Sequence, residues 1–297
     1  MFRTLADITA HFAAATPDKA AIRADGVDWS FAALHDRERR AVTALRALGV
    51  QKGDRVGWLA LNHPEFATLM CACFRMGAVM VAINARLVAR EIAYVLGDAG
   101  INVLVTETAF LPLVVEAQAT TGLGTVLLLD APHDGRPRFA DHVTGHAPDP
   151  AAIAAQPDDI AIQMYTSGTT GFPKGALLSH RQLLSAVAKP DRLEGTALGP
   201  WQEDDVSLVA MPVFHVSGSL WLLMGMARGA PSVILPRPEI ALIVNSIVEQ
   251  RITRLVLVPA VMLAISQYLE TTPADLSCVR ELYYGASPIP LDVLRRS

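Results

Sequence analysis

The chain has 297 residues, 52% hydrophobic and 18% charged, with a formal net charge of −4. These values exclude a disordered chain and leave ample apolar material for a large core. No lysine or arginine stripe runs along it, so electrostatics give no support for nucleic-acid binding, and no nucleic-acid partner is expected.

The helical spacing of Leu5, Ile8 and Phe12 predicts a first helix that stops near Thr16-Pro17. An Asp25-Gly26 turn between A-A-I-R and V-D-W predicts a hairpin. Ser30 is placed to cap a helix over 31–48, which Gly49 closes. Arg37, Arg39 and Arg40 on that helix read as a solvated face. Strand R-V-G-W-L-A-L, a helix over 65–76, a strand over 79–83, a helix over 90–97, strand N-V-L-V-T, a helix over 111–120 and strand T-V-L-L-L follow. The most apolar run, 66–83, brushes the lower length limit of a membrane span. Arg75 and Gly77 interrupt it, so a helix ending at Gly77 and then a buried strand are expected, with no transmembrane segment. Cys71 and Cys73 stand two apart on that helix and Cys278 is alone. They read as buried thiols in a reducing cytoplasm. No Cys/His spacing forms a zinc site, and the N-terminus lacks the apolar stretch of a signal peptide.

Residues 130–159 shift to Pro, Asp, His and Gly and read as a surface connection with a short turn. Strand I-A-I-Q-M-Y, a loop, strand A-L-L-S and a helix over 181–188 come next. A polar stretch over 189–205 ends in Glu203-Asp204-Asp205, read as solvated. Strand V-S-L-V-A, a helix over 219–227, strand S-V-I-L, a helix over 240–249, strand R-L-V-L-V, a helix over 260–268 and strand R-E-L-Y-Y complete the pattern, and L-D-V-L-R-R-S opens a further helix. Strands alternating with helices predict an α/β fold of layered, parallel-rich sheets with flanking helices, in two lobes at about 1–158 and 159–297.

The loop M-Y-T-S-G-T-T-G-F-P-K-G, Met164 to Gly175, carries the chemistry. Gly168, Gly171 and Gly175 allow backbone N–H groups to turn toward a ligand. Thr166, Ser167, Thr169 and Thr170 add hydroxyl donors, and Lys174 adds a cation. Donors and one positive charge in a turn suit polyphosphate oxygens. The motif is not the common P-loop, in which Gly-Lys-Ser/Thr runs into a helix; here Lys174 precedes Gly175 and a strand.

T-S-G-T-T-G-F-P-K-G resembles the phosphate-loop signature of the adenylate-forming enzymes, which include acyl-CoA synthetases, luciferases and peptide-synthetase adenylation domains. N-A-R-L (84–87), M-P-V-F-H-V-S-G (211–218) and Y-G-A-S-P-I-P (284–290) resemble further family segments in the family's order, with Ala85 where the family has proline. The wording around His215 is nearest the fatty-acyl and related CoA ligases. Each segment also has a structural reading: His215 as a satisfied core histidine, Gly285 to Pro288 as a β-turn, Asn84 and Arg86 as helix cap and solvated charge.

The resemblance implies that a small-molecule carboxylic acid attacks the α-phosphate of ATP, pyrophosphate leaves, and a thiol, usually coenzyme A, displaces AMP. Thr166, Ser167, Gly168, Thr169, Thr170 and Gly171 would hold phosphates, and Lys174 would offset the pyrophosphate charge as the catalytic cation. Gly285, Ala286 and Ser287 would line the adenine side, and His215 would stand at the acyl entrance, with Val216, Leu220 and Trp221 toward the acyl group. The family's Mg²⁺-binding Y-G-x-T-E, ribose aspartate, small C-terminal domain and late lysine have no counterpart after Pro290. Two expectations follow. Either the chain is the N-terminal part of an acyl-CoA ligase, or it binds nucleotide or acyl ligand at most, without turnover. A P-loop kinase-like NTPase is disfavoured by the lysine–glycine order. Uncovered strand edges would make such an isolated piece aggregation-prone.

Overall fold

The computed structural model describes residues 2–166, 173–187, 200–285 and 287–288. Among these residues the chain forms two six-stranded sheets. The first is ordered β6-β5-β3-β4-β7-β8, from β3 (Arg55–Leu59), β4 (Val79–Ala82), β5 (Ile101–Thr106), β6 (Thr125–Leu128), β7 (Ile160–Thr166) and β8 (Lys174–Ser179). The second is ordered β12-β11-β9-β10-β1-β2, from β1 (Ala20–Ala24), β2 (Val27–Ser30), β9 (Ser207–Val209), β10 (Ser232–Ile234), β11 (Arg254–Leu257) and β12 (Glu281–Tyr284). Every pairing is parallel except the two hairpins, β1–β2 and β7–β8. The expected parallel-rich layered fold is present. Sheet membership cuts across residue 158: β7 and β8 complete the first sheet, while β1 and β2 join the second.

The layers follow from where apolar side chains point. One core lies between the sheets and gathers helices α1 (Ala6–Ala15), α2 (Phe31–Ala47), α3 (Glu65–Met76), α6 (Phe139–Thr144), α7 (His180–Val187) and α8 (Val216–Ala227). A second core packs α4 (Ala89–Ala99) and α5 (Leu111–Gln118) on the outer face of the first sheet. A third packs α9 (Ile240–Gln250) and α10 (Pro259–Thr271) on the outer face of the second. Sheets covered on both faces require strands that are apolar on both sides, which explains why Val79–Ala82 is buried throughout.

Local signals act where expected. Ser30 Oγ accepts from Ala33 N at 3.2 Å and caps α2. The apolar run at 66–83 is α3, buried along its whole length, then β4; Gly77 in the left-handed region (φ 76°) makes the turn between them. Arg75 is tolerated inside the core because it pairs with fully buried Glu38 at 3.6 Å and donates to the Ala151 carbonyl at 2.7 Å. No helix among the described residues is long and apolar enough to cross a membrane.

Three polar stretches differ from expectation. The 130–159 connection contains α6, whose Phe139 and Val143 are fully buried, and Asp149 of the same connection is buried too. The α2 arginines are not a free face: Arg39 and Arg40 donate to the Asp149 and His146 carbonyls and dock that connection, while Arg37 pairs with Glu65 and lies over the Trp29 ring. Asp205 is fully buried, not solvated.

Candidate active site at the carboxyl ends of the two sheets

Because the strands of each sheet run parallel, the segments leaving their carboxyl ends gather at one edge. Asn62, just past β3, ties the two edges together. Its Nδ2 donates to the Met211 carbonyl (3.1 Å) beyond β9 and to the Leu235 carbonyl (2.9 Å) beyond β10, and its Oδ1 accepts from Val213 N at 2.8 Å. Asn62 is buried with its amide satisfied at both ends, so it fixes the M-P-V-F-H segment against the first sheet.

That segment places His215 as the residue before α8, exposed, with Gly218 and Ser219 N–H groups donating to its carbonyl at 3.1 and 3.2 Å. The residue is exposed as a whole but its ring is partly buried, and this partial desolvation, then the Arg86 charge, lower the His215 pKa and favour the neutral imidazole. Arg86 belongs to N-A-R-L beyond β4, where Asn84 Oδ1 accepts from Arg86 N at 3.0 Å and shapes the turn. The Arg86 charge therefore acts on His215 across two of the sequence segments, one from each sheet. Gly218 is needed here: a Cβ would meet the Pro212 carbonyl oxygen at 2.3 Å.

The β7–β8 hairpin carries the glycine-rich loop. Thr166 and Lys174 are cross-strand partners at its open end, and both are exposed. Among the described residues no carboxylate pairs with Lys174. Ser167, Gly168, Thr169, Thr170 and Gly171 lie outside the described residues, as does Ala286. Gly175 has a packing role in the hairpin. It sits in β8 opposite Tyr165, and a Cβ there would meet Gln163 Nε2 at 2.5 Å and the Tyr165 ring at 3.1 Å. Its absence of side chain lets Gln163 donate to Tyr165 Oη (2.9 Å), which donates to Asp98 (2.5 Å) and anchors the hairpin to α4.

Gly285 and Ser287 follow β12, and Ser287 is exposed. Beneath them Tyr283 meets Trp221 of α8 with ring centroids 4.8 Å apart, and Trp201 stands behind Trp221 at 5.8 Å. Arg254 of β11 braces this cluster. It donates to Tyr283 Oη (3.2 Å), to the Pro200 carbonyl (2.6 Å) and to Asp205 Oδ2 (2.5 Å). Burial pushes the Asp205 pKa up, but the Gln202 N–H, the Thr253 hydroxyl and Arg254 outweigh it and leave the carboxyl below its ordinary value. Sequence reading missed Asn62, Arg254 and Asp205. The available signal was an arginine inside an apolar strand, which demands a buried acid.

On the far side of Asn62 a cavity of about 470 Å³ is lined by Trp29, Arg37, His63, Glu65 and Arg138. Burial and the Arg138 charge lower His63 to about 4. Among the described residues no cluster of three acidic, histidine or cysteine side chains could hold a metal. Thr166 and Lys174 are exposed, and among the described residues a Cβ at Gly285 would touch nothing within 4 Å.

Residues 9–297 match the model of the AMP-binding enzyme family. A long-chain-fatty-acid–CoA ligase of Thermus thermophilus is 36% identical over 273 residues, 90% of this chain and 49% of that protein. Rice 4-coumarate–CoA ligase 3 (Oryza sativa subsp. japonica) is 33% identical over 269 residues, 90% of this chain and 48% of that protein. Among solved structures, the inhibitor-bound N-terminal domain of FACL13 from Mycobacterium tuberculosis superposes with TM-score 0.88 at 27% identity, covering 99% of this chain and 73% of that one. ATP-bound MatB from Rhodopseudomonas palustris gives 0.83 at 28% identity, covering 98% and 57%. The chain thus spans about half the length of the curated relatives it matches.

Proposed function

Since the chain belongs to the AMP-binding enzyme family, we propose that it supplies the nucleotide and acyl side of an ATP-dependent carboxylate–CoA ligase. The substrate is a fatty or related organic acid, which is first joined to AMP with release of pyrophosphate and then transferred to coenzyme A. One observation carries this reading: the T-S-G-T-T-G-F-P-K-G signature closes a hairpin whose end residues, Thr166 and Lys174, stand paired and exposed at the edge where the other family segments gather.

The division of labour follows from charge. Carboxylate and triphosphate are both anionic, so positioning and charge stabilisation dominate the barrier. Lys174 offsets charge on the departing pyrophosphate. Thr166, Ser167, Gly168, Thr169, Thr170 and Gly171 hold the phosphates, and Gly285, Ala286 and Ser287 line the adenine. Mg²⁺, when bound, neutralises phosphate charge. His215, neutral and exposed beside Arg86, borders the acid's carboxylate. A cytoplasmic setting fits the free cysteines, two of them buried.

The test is carboxylate-dependent exchange of labelled pyrophosphate into ATP, followed by thioester formation with coenzyme A. Acid-dependent exchange supports activation; release of free phosphate in its place would refute it. In a second reading these 297 residues bind nucleotide or acyl ligand without turnover. It predicts saturable ATP binding with no exchange.

A further inference from the structure

A group of side chains with chemistry of their own stands outside the proposed activation site and takes no part in it. Trp29, Arg37, His63 and Arg138 line the cavity of about 470 Å³ on the far side of Asn62. They come from both halves of the molecule. Trp29 belongs to β2 of the second sheet, His63 to the turn between β3 and α3, Arg37 to α2, and Arg138 is the residue before α6. Val27, Ile234 and Pro236 add apolar wall.

These groups have donors left over. The Arg37 guanidinium lies 4.2 Å from the Trp29 ring centroid and pairs with Glu65, yet its Nε is buried without a partner among the described residues. Arg138 Nε donates to the Leu129 carbonyl at 3.3 Å, while its Nη1 meets the Asp141 carboxylate only at 3.9 Å. His63 Nδ1 accepts from Glu65 N at 3.2 Å, so the neutral ring carries its proton on Nε2 as a donor. That neutral form is held because burial, then the Arg138 charge, lower the His63 pKa to about 4 against the opposing charge of Asp130. The nearby carboxylates are committed elsewhere or face water. Glu65 is taken by Arg37, Asp130 accepts from the Thr108 N–H and hydroxyl at 3.1 and 2.8 Å, and Asp25 is exposed on the hairpin turn. Among the described residues Arg138 is thus a cation without a close counter-charge at the rim of a partly apolar cavity.

The geometry points to a second ligand site in this cavity, one for a small organic oxyanion. A phosphate monoester or carboxylate head is held by Arg138 with the His63 Nε2–H beside it, and an apolar body lies against Val27, Ile234 and Pro236. A guanidinium fork with an added imidazole donor matches the lone pairs of such a head. A joint that only held α2 to α3 would be served by Arg37 and Glu65, with no use for the open donors of Arg138 and His63. The inference is independent of the activation reading, which uses none of these residues.

The experiment is calorimetric titration of the native full-length protein with phenyl phosphate, phenylacetate and inorganic phosphate, each with excess AMP present to fill the nucleotide side. Saturable binding of an organic anion at one equivalent is expected, and the tighter of the two identifies the head group. Inorganic phosphate, which lacks the body, is expected to bind about tenfold more weakly. Arg138→Gln is expected to weaken binding by about tenfold or more, and His63→Phe by roughly fivefold. The Arg138 side chain is 42% exposed, so its variant is expected to fold, and the wild-type titrations decide if it does not. No binding of either organic anion, or an affinity unchanged in a folded Arg138→Gln protein, would overturn the site. A signal that AMP abolishes would assign the probe to the nucleotide side and overturn it too. Inorganic phosphate binding as tightly as the organic anions would overturn the organic ligand. None of these results touches pyrophosphate exchange, which tests activation separately.

Discussion

The two sheets are built to one plan and differ at one turn. Reading β6-β5-β3-β4-β7-β8 against β12-β11-β9-β10-β1-β2, each position has its counterpart, down to a closing antiparallel hairpin at the same end. Both hairpins shift register after the first residue of their leading strand, at Ala20/Ile22 and at Ile160/Ile162. In the second sheet the hairpin turns on Asp25-Gly26 alone; in the first it spans residues 167–173 with the glycine-rich signature. A common frame with one tight turn and one longer, glycine-rich connection puts the difference between the sheets in the connection, not in the strands.

The frame and the loop should therefore fail differently when broken. The largest loss belongs to the frame. Asp205→Ala strands buried Arg254 without its carboxylate, an expected cost of about 3–5 kcal/mol in urea unfolding. Lys174→Ala reverses the pattern. Lys174 is exposed, so stability should hold, while pyrophosphate exchange slows roughly a hundredfold to a thousandfold. Unchanged exchange in that variant would remove the phosphate role. Between these stands Asn62→Ala, which cuts the joint between the two sheets. It leaves the Met211 and Leu235 carbonyls and the Val213 N–H without their partner, for a loss of roughly 2–3 kcal/mol. Exchange should fall with it, because His215 hangs from the same segment.

These residues also mark where sequence reading reached and where it stopped. The two hairpin strands at 20–30, the Ser30 cap and the Gly77 stop were legible because each signal lies within a few residues of its effect. The motifs were legible because each is a contiguous run of a few residues. Asp205 was not, since its partner lies 49 residues away, and an acidic triplet looks solvated until that partner is known. Helix α6 was hidden for a related reason: only Phe139 and Val143 face the core, too few to show a period. The pairing of β1 with β10 was beyond any local signal, because it joins Ile22 to Ser232.

A pH titration probes the frame without mutation. His180 opens α7, its Nδ1 accepts from Leu5 N at 3.2 Å, and its ring meets Phe74 edge-on. Burial lowers its pKa to about 4, against the opposing charges of Asp159 and Asp7, and burial with Arg138 lowers His63 to about 4 as well. Each folded value lies below the unfolded 6.5, so the unfolded chain binds more protons between them. Stability from these two groups is full above pH 6.5 and falls as pH drops toward 4, by at most about 1.4 kcal/mol per pH unit for each histidine. His180→Gln should flatten the slope. An equal slope in that variant would show that another group carries it.

The smallest effect tests the comparison itself. Gly26 holds φ at +68° with open space where a side chain would go, so Gly26→Ala meets no clash and costs only the left-handed conformation, about 1 kcal/mol. If the tight hairpin is frame alone, that variant loses this much in unfolding and keeps its exchange rate. Under the proposed function, Gly171→Ala, in the signature of the other hairpin, should do the opposite and slow exchange with little change in stability. Measured as a pair, the two glycines separate frame from chemistry at topologically equivalent turns. A slowed exchange in Gly26→Ala would mean that the second sheet's hairpin also reaches the nucleotide.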